Sequence, residues 1–422
     1  MASTPISTAA TAAAAAAKNA AVFTAGRAAF SPRQTYEVSP NIPRSFFLGH
    51  HHAGLARMRQ TLSTVGLIIE CRDFRVPIAS WNPLLEQSLA GSTASERARI
   101  IVYTHRDLGP GPPTGSSSSR NDPSSTAAAR LRAFHLQSNH AKEVLFTGGA
   151  GPSPTKSPTA ALLTAIKAVA RERDSLTGLR ALVVGMPNAG KSTLLNALRM
   201  RGMNGAKAAR TGANPGVTRR LSSPVRIVPG ESGKASSSSS SSPHDGRSLD
   251  GVGEGVFLVD TPGVFVPYVA DPEKMLKLAL VGCVRDGIVP RETLADYLLF
   301  RLNLADPSGG LYLERLGMEA PTNDVSEFLE AVARRVGKLA RGGGANYEAA
   351  AEWAVQEWRG GGLGRMLLDE VTPESLARGL EEAKVETLSM NQARKKEKEA
   401  RKARNEAKRA GVAGGGGEGE VV

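Results

Sequence analysis

A segment near the middle of the chain has the residue types and the spacing that bind phosphate. It reads Gly-Met-Pro-Asn-Ala-Gly-Lys-Ser from Gly185 to Ser192, after an apolar run and before an amphipathic stretch. The two glycines let successive backbone N–H groups face one anion, and a helix N-terminus adds partial positive charge. We expect the Lys191 ammonium to reach the β- and γ-phosphates of a nucleoside triphosphate, and the Ser192 hydroxyl to bind Mg²⁺. The other predicted phosphate contacts come from Asn188, Ala189, Gly190 and Thr193.

Two segments after this loop suit magnesium and a γ-phosphate. The sequence Asp-Thr-Pro-Gly begins at Asp260, directly after an apolar run, so its carboxylate can hold a magnesium-bound water at a strand end. The N–H group of Gly263 can meet the γ-phosphate. Between the two segments, Thr218 follows Asn-Pro-Gly-Val and can supply a second hydroxyl ligand to Mg²⁺. The three segments together predict a site for Mg²⁺ and a nucleoside triphosphate.

The residues that read the nucleobase are expected before the phosphate loop. A carboxylate can accept both N–H donors on the pairing edge of guanine, and GTPases usually place it in an Asn-Lys-x-Asp tetrad on a later strand. No such tetrad follows Gly263. Upstream, one apolar run leads into Thr104, His105, Arg106 and Asp107, and another leads into Thr147, which is expected to support the base. This order of motifs predicts a circular permutation, which is tolerated when chain termini lie close together at the surface.

Apolar runs and amphipathic stretches alternate through the first two thirds of the chain. The alternation predicts an α/β domain over 45–272, with a parallel sheet covered by helices on both faces. The predicted strands are 65–70, 100–103, 144–147, 179–184 and 256–259, and the predicted helices are 159–171 and 191–200. A small all-helical domain is predicted over 273–370. Its predicted helices are 275–284, 291–301, 325–339, 347–358 and 363–368.

Three segments have compositions that do not build a core. Residues 109–126 and 229–255 are rich in serine and are predicted to be loop insertions, and 371–422 is predicted to be a charged, disordered tail. The chain has a net charge of +13, which favours an anionic partner. Nine basic and three acidic residues lie between Arg394 and Arg409. That stretch is interpreted as a helix or arm for RNA phosphates, with a solvated tail as the open alternative.

The first residues of the chain, its apolar runs and its cysteines give information about the cellular compartment. Residues 1–36 are rich in alanine and contain no acid, which predicts a mitochondrial transit peptide, with an alanine-rich disordered tail as the alternative. No apolar run approaches the roughly 18 residues that a membrane helix needs. Cys71 and Cys283 lie far apart in the chain, which argues against a disulfide framework and a cysteine zinc site.

Four further segments, added to the nucleotide motifs, resemble the circularly permuted GTPases of ribosome assembly. They are Phe47-Leu-Gly-His50, Ile69-Glu-Cys-Arg-Asp-Phe-Arg-Val-Pro77, Asn82-Pro83 and Leu276-Lys-Leu-Ala-Leu280, and the resemblance spans about 46–368. It implies a P-loop GTPase that binds GTP and GDP and assembles the mitochondrial large ribosomal subunit, with turnover stimulated by that particle. It also implies that the helical domain docks on ribosomal RNA, in the matrix or in peripheral contact with the inner membrane.

The chain departs from the family pattern where the base is read. Thr104 and His105 stand where the family has Asn-Lys, so guanine preference is expected to rest on Asp107. This departure keeps a non-catalytic RNA-binding scaffold open as an alternative, whereas an ATP-using P-loop kinase is disfavoured by Asp107 and by the Asp-Thr-Pro-Gly turn.

The group that activates water is also missing from its usual place. Val264 follows the Asp-x-x-Gly turn, where many GTPases have a water-orienting glutamine. The resemblance points to His50 as the catalytic group, and a solvated loop histidine is the alternative. Asn188 resembles the asparagine of GTPases that use K⁺ as an extra positive charge, although an asparagine also suits a turn.

Overall fold

The computed structural model describes residues 30–47, 49–89, 97–110, 123–148, 157–173, 177–206, 208–209, 221–231, 252–385 and 387–413. The strands are β1 (Leu67–Asp73), β2 (Ala98–Thr104), β3 (Glu143–Phe146), β4 (Leu179–Gly185), β5 (Val225–Val228) and β6 (Val256–Asp260). The helices of the first part are α1 (Gly49–Thr61), α2 (Pro83–Leu89), α3 (Pro123–Gln137), α4 (Pro158–Arg173) and α5 (Lys191–Met203). They are followed by α6 (Pro272–Leu280), α7 (Arg291–Ala305), α8 (Leu313–Leu316), α9 (Val325–Val336), α10 (Tyr347–Arg359), α11 (Pro373–Lys384) and α12 (Met390–Ala413).

Within the described residues the strands form one mixed sheet in the order β3-β2-β1-β4-β6-β5. The pairs from β3 to β6 are parallel, and β5 is an antiparallel edge strand. The predicted parallel sheet is therefore confirmed for its five predicted strands. Strand β5 was not predicted, because a segment of four residues that includes the charged Arg226 is too short to show the alternation of apolar and polar residues.

Helices cover both faces of the sheet, as the alternation of runs predicts. On one face α4 and α5 pack against β1, β2 and β4 in one apolar cluster. On the other face α1 and α2 pack near β1 and β4, and α3 and α11 pack near β2. Since all central strands are buried on both sides, they are continuous apolar runs rather than alternating ones.

The helical part has its own core, formed by α6 to α10. Large buried side chains there include Tyr297, Phe328 and Trp358. The same cluster contains Met186 of the phosphate loop and Phe265, so the two parts share apolar packing. The predicted helix 363–368 is wrong, because Gly364 adopts a left-handed backbone conformation (φ 86°) that ends helical structure.

Two further predictions, for segments expected to lack regular structure, are wrong in part. The predicted disordered tail contains α11, which begins with a Thr372–Ser375 capping box and buries Leu376, and the long exposed helix α12. The predicted insertion 109–126 ends in the first turn of α3, which buries Leu131. These predictions followed the charge or serine content of each segment. They gave too little weight to the amphipathic pattern or the helix cap that the segment also contains. The described helices include none long and apolar enough to cross a membrane.

The segment before α1 is packed on the helical part. The Arg33 guanidinium pairs with Asp296 at 2.6 Å, and the Tyr36 ring meets the Tyr297 ring edge-on with centroids 5.1 Å apart. The end of the predicted transit peptide, at residue 36, therefore overlaps a segment that contributes to the fold.

Candidate nucleotide-binding site

The C-terminal ends of four parallel strands bring the predicted nucleotide motifs to one edge of the sheet. Strand pairing aligns Asp73 with Thr104, Cys71 with Gly185, and Val183 with Asp260. Ligands of open α/β sheets bind outside this edge. Strand β2, which leads into the predicted base-reading residues, precedes the phosphate-loop strand β4 in the chain, which is the permuted order that the sequence predicts.

The phosphate loop has the tight backbone that its sequence predicts. A side chain at Gly185 would lie 2.3 Å from the Cys71 carbonyl oxygen, so glycine is required where β4 ends. Asn188 (φ 56°) and Gly190 (φ 76°) are both left-handed, and α5 begins at the next residue, Lys191. The backbone therefore wraps around a concavity at the helix N-terminus, the arrangement that binds phosphate. Ala189 is buried in this loop, and Thr193 is exposed in the first turn of α5.

Lys191 is held over the loop by backbone carbonyls. Its Nζ donates to the Met186 oxygen at 2.7 Å and to the Gly185 oxygen at 3.3 Å, and the side chain is buried. Burial lowers the pKa of Lys191, and the nearby Asp260 carboxylate opposes that shift. A phosphate bound in the loop would add the negative charge that favours the ammonium form.

The predicted magnesium ligands Ser192 and Asp260 are in contact. The Ser192 hydroxyl donates to Asp260 Oδ2 at 2.5 Å, and Asp260 is buried at the end of β6. The Asp260 backbone N–H donates to the Ser222 hydroxyl at 2.8 Å, which fixes the strand end. A hydroxyl beside a carboxylate is a donor set that Mg²⁺ accepts, provided that phosphates and water complete its octahedron. The described residues contain no cluster of three histidine, cysteine or acidic ligands, and Thr218 lies outside them.

The turn after β6 lies directly on the phosphate loop. A side chain at Gly263 would be 2.5 Å from Pro187 Cα, so only glycine allows this approach. The Val264 N–H donates to the Gly185 oxygen at 3.2 Å, and the Asn82 amide donates to the Val264 oxygen at 2.6 Å. The Val264 side chain is 1% exposed and packs in the apolar core. The Val264 side chain therefore offers no polar group that could orient a water molecule for hydrolysis.

The predicted base-reading residues adjoin the phosphate loop. The Thr104 hydroxyl lies 3.2 Å from the Ala189 oxygen and 3.1 Å from the Arg72 oxygen. The Arg106 N–H donates to the Thr147 oxygen at 3.0 Å, and a side chain at Gly148 would lie 2.1 Å from Asp107 Oδ1. The structure thus brings the two predicted base segments together, with the Asp107 side chain exposed.

Two contacts at the site were not anticipated. The His105 ring nitrogen Nδ1 lies 3.2 Å from Oδ2 of Asp73, which is buried at the end of β1. The Asn188 side-chain nitrogen donates to the Gly282 oxygen of the helical part at 2.7 Å. Both contacts join residues far apart in the chain, so the spacing of residues within a motif could not predict them.

His50 lies in the first turn of α1 rather than on a loop. Its side chain is outside the described residues. One turn later, a side chain at Gly54 would lie 3.3 Å from Pro262 Cβ, so α1 packs against the Asp260–Gly263 turn. The neighbouring His51 is buried, with its ring centroid 5.8 Å from that of Phe46.

Comparison with known proteins assigns the family. A model described as a 50S ribosome-binding GTPase matches residues 180–300. Mitochondrial GTPase 1 of Schizosaccharomyces pombe is 34% identical over 353 residues, which cover 82% of this chain and 95% of that protein. Mitochondrial ribosome-associated GTPase 1 of Bos taurus is 29% identical, covering 80% of this chain and 92% of that protein. A solved structure, GNP-bound YlqF from T. maritima, covers 74% of this chain and 96% of that one at 22% identity, with a TM-score of 0.41. The chain belongs to the mitochondrial GTPase 1 family of circularly permuted P-loop GTPases, which hydrolyse GTP to GDP and phosphate.

Proposed function

We propose that this GTPase assembles the mitochondrial large ribosomal subunit and that the particle stimulates its turnover. The observation that carries the proposal is the burial of the Val264 side chain beside the phosphate loop. A site that binds nucleotide but lacks a water-orienting side chain at this turn hydrolyses slowly until another group is supplied. The names of the relatives, several of them ribosome-associated, support a ribosomal partner, and the match to a model described as a 50S ribosome-binding GTPase supports the choice of the large subunit.

The residues at the site divide into three roles. Lys191 and the loop N–H groups hold the phosphates, Ser192, Asp260 and Thr218 hold Mg²⁺ with its water, and Asp107 accepts the guanine donors. Bound Mg²⁺ neutralises negative charge on the β- and γ-phosphates. The backbone of Gly263 meets the γ-phosphate.

We assign the water-activating role to His50 and a potassium-binding role to Asn188. The position of His50 on α1, one turn before the residue that meets Pro262, supports the first assignment. The left-handed Asn188 at the rim of the phosphate loop supports the second. A potassium ion held there would add positive charge between the phosphates, where negative charge develops during hydrolysis.

Two basic surfaces suit ribosomal RNA. The first, the 331–347 segment, contains Arg334, Arg335, Lys338 and Arg341 and no acid. These four side chains are exposed. Arg334 and Arg335 lie in the last turn of α9, and a Leu339–Ala345 bridge shapes the residues between α9 and α10, which include Lys338 and Arg341, into what we call the basic hairpin. The second is α12, whose basic residues exceed its acidic ones. Phosphate contacts from both would bind RNA without reading its sequence.

We place the protein in the mitochondrial matrix, with peripheral contact at the inner membrane as a further expectation of the family resemblance. The packing of Arg33 and Tyr36 on α7 supports a cleavage point before Arg33 for any cleaved leader. N-terminal sequencing of the protein from isolated mitochondria tests this boundary, since a first residue beyond Arg33 would contradict it.

The experiment for the proposed function measures GTPase rate and co-pelleting with purified large subunits, small subunits and no particle. We expect stimulation and pelleting with the large subunit only. Lys191→Ala serves as the nucleotide-free control, and the exposed Arg171→Ala on α4 serves as the surface control. Equal stimulation by both subunits, or none by either, would refute the proposal.

A further inference from the structure

Asp73 is a buried carboxylate at the junction of the base-reading residues and the rest of the site. It is 1% exposed at the end of β1, beside Thr104 of β2 in the strand register. Its Oδ1 accepts the Arg75 N–H at 2.9 Å and Arg75 Nε at 3.0 Å, and its Oδ2 accepts Arg75 Nη2 at 2.7 Å. Burying a charge in this way requires a partner, and Arg75 provides it.

The second partner of this carboxylate is His105. Burial alone would raise the pKa of Asp73, but the Arg75 guanidinium and the His105 ring hold it well below its ordinary value. Asp73 is therefore ionised and can only accept hydrogen bonds. His105 Nδ1 lies 3.2 Å from Oδ2 and 3.2 Å from the Thr104 hydroxyl, so the tautomer that this carboxylate favours is the one with its proton on Nδ1. This contact fixes the ring orientation and directs Nε2 away from Asp73.

The backbone makes this restraint necessary. His105 is left-handed (φ 56°), a conformation that a residue with a side chain seldom adopts without support. The next three residues, Arg106–Leu108, form a single 3-10 turn that contains Asp107. A change in the His105 backbone would therefore move the carboxylate that reads guanine.

We propose that Asp73 is a positioning residue for guanine recognition. Its carboxylate fixes the His105 imidazole, so that the ring forms a wall of the base site and the following turn presents Asp107. The inference rests on the proposed base-reading role of residues 104–107. It also gives a physical basis for Thr104 and His105, which stand where the family pattern has Asn-Lys, because contacts fix both side chains. The Thr104 hydroxyl lies 3.2 Å from the Ala189 oxygen, and the His105 ring contacts Asp73.

A double-mutant cycle tests the proposal, with the dissociation constants of GDP and ADP as readouts. Asp73→Asn keeps the shape but removes the charge, and we expect about a ten-fold loss of GDP affinity, the effect of losing one charge-assisted hydrogen bond. His105→Ala should cause a similar loss. Adding Asp73→Asn to His105→Ala should change GDP affinity less than about two-fold, since the coupling partner is already absent. ADP binding should change little in each variant.

Two controls separate positioning from folding. Arg75→Gln removes the other partner of Asp73 but leaves the His105 contact, so it should lower the melting temperature and leave the GDP-to-ADP preference unchanged. Should Asp73→Asn unfold, the double variant Asp73→Ala/Arg75→Met removes both buried charges and enters the same cycle.

The outcomes discriminate between the inference and the base site on which it rests. Equal ten-fold losses from Asp73→Asn in both backgrounds would show that Asp73 acts independently of His105 and would overturn the inference alone. An unchanged guanine preference in Asp107→Asn would overturn the base site, and the inference with it.

Discussion

The side-chain amide of Asn188 donates a hydrogen bond to the carbonyl oxygen of Gly282, 2.7 Å away, and so ties the phosphate loop to the helical part. Two further contacts reinforce this connection. Met186 of the same loop is buried in the helical core, and Arg359 at the end of α10 donates to the Leu280 oxygen at 2.8 Å. A rearrangement of the loop around nucleotide would therefore be transmitted to α6 and α10, and the basic hairpin directly precedes α10.

Lys191→Ala and Ser192→Ala should each weaken Mg²⁺–GTP binding by roughly ten-fold or more, because each removes a polar contact to charged phosphate or metal. The fold should persist, since neither side chain forms part of an apolar cluster. Calorimetric titration with GTP and a thermal unfolding curve check both points. Wild-type affinity in either variant would contradict the site.

GTP turnover should be lower in Na⁺ than in K⁺, and Asn188→Ala should abolish that difference. The reason is that a cation fixed near Asn188 would stabilise charge that develops between the phosphates. Turnover is measured in matched concentrations of the two chlorides. Asn204→Ala is the matched control, because Asn204 is also a left-handed asparagine (φ 49°) but follows α5. Equal rates in the two salts would assign Asn188 a structural role, which includes its contact with Gly282, rather than a role in binding potassium.

His50→Ala should lower particle-stimulated turnover by roughly 10²-fold, the contribution of one positioned acid or base, with little change in GTP affinity. The adjacent and exposed His52 provides the control, since His52→Ala should leave both quantities unchanged. Single-turnover hydrolysis and GTP titration separate the two effects. Should affinity fall while the single-turnover rate holds, His50 would be a binding residue.

Charge removal on the basic hairpin should weaken binding to large subunits and reduce its salt dependence. For Lys338→Ala/Arg341→Ala we expect the slope of log affinity against log salt to fall by about two, one for each lost phosphate contact. Pelleting at several KCl concentrations gives the slope. Arg171→Ala should leave the slope unchanged, and GTP affinity should be unchanged in both variants. A slope that the hairpin variant does not alter would place RNA binding elsewhere.

The buried network around Glu70 should make stability depend on acid pH. Glu70 accepts from Arg72 Nε at 2.6 Å and from Arg99 Nε at 3.0 Å. Although burial opposes it, these arginines lower the pKa of Glu70 from 4.5 to about 2. The carboxylate therefore stabilises the fold fully above pH 4.5, and this stabilisation is lost as pH falls toward 2.

Glu70→Gln should accordingly lower the free energy of unfolding by about 3 kcal/mol at pH 7, because it leaves two buried guanidinium groups less well compensated. The variant should also lose part of the acid-dependent slope. Urea unfolding at pH 7, 5 and 3 measures both. The exposed Glu319→Gln should change neither, and a Glu70→Gln variant as stable as the wild type would show that the network contributes little.

The local features of the site were predictable because each depends on contiguous residues. Glycine, lysine and serine at set spacing between an apolar run and a helix specify the phosphate loop, and the structure places Gly185, Lys191 and Ser192 accordingly. The strand positions were predictable for the same reason, since strands buried on both faces are continuous apolar runs. The four-residue edge strand β5 was not, because so short a segment shows no hydrophobic period.

The contacts that join the motifs were decided only by the tertiary structure. Asn188 and Gly282 lie 94 residues apart in the chain, and Thr104 and Ala189 lie 85 apart. Asp73 and His105 meet because β1 and β2 pair in parallel, with a register that no local pattern specifies. The sequence by itself therefore determined which chemical groups are candidates for binding the nucleotide, since these follow from local motifs. Chain packing alone determined how those groups are held, because hydrogen bonds between distant segments exist only once the sheet and the helical core have formed.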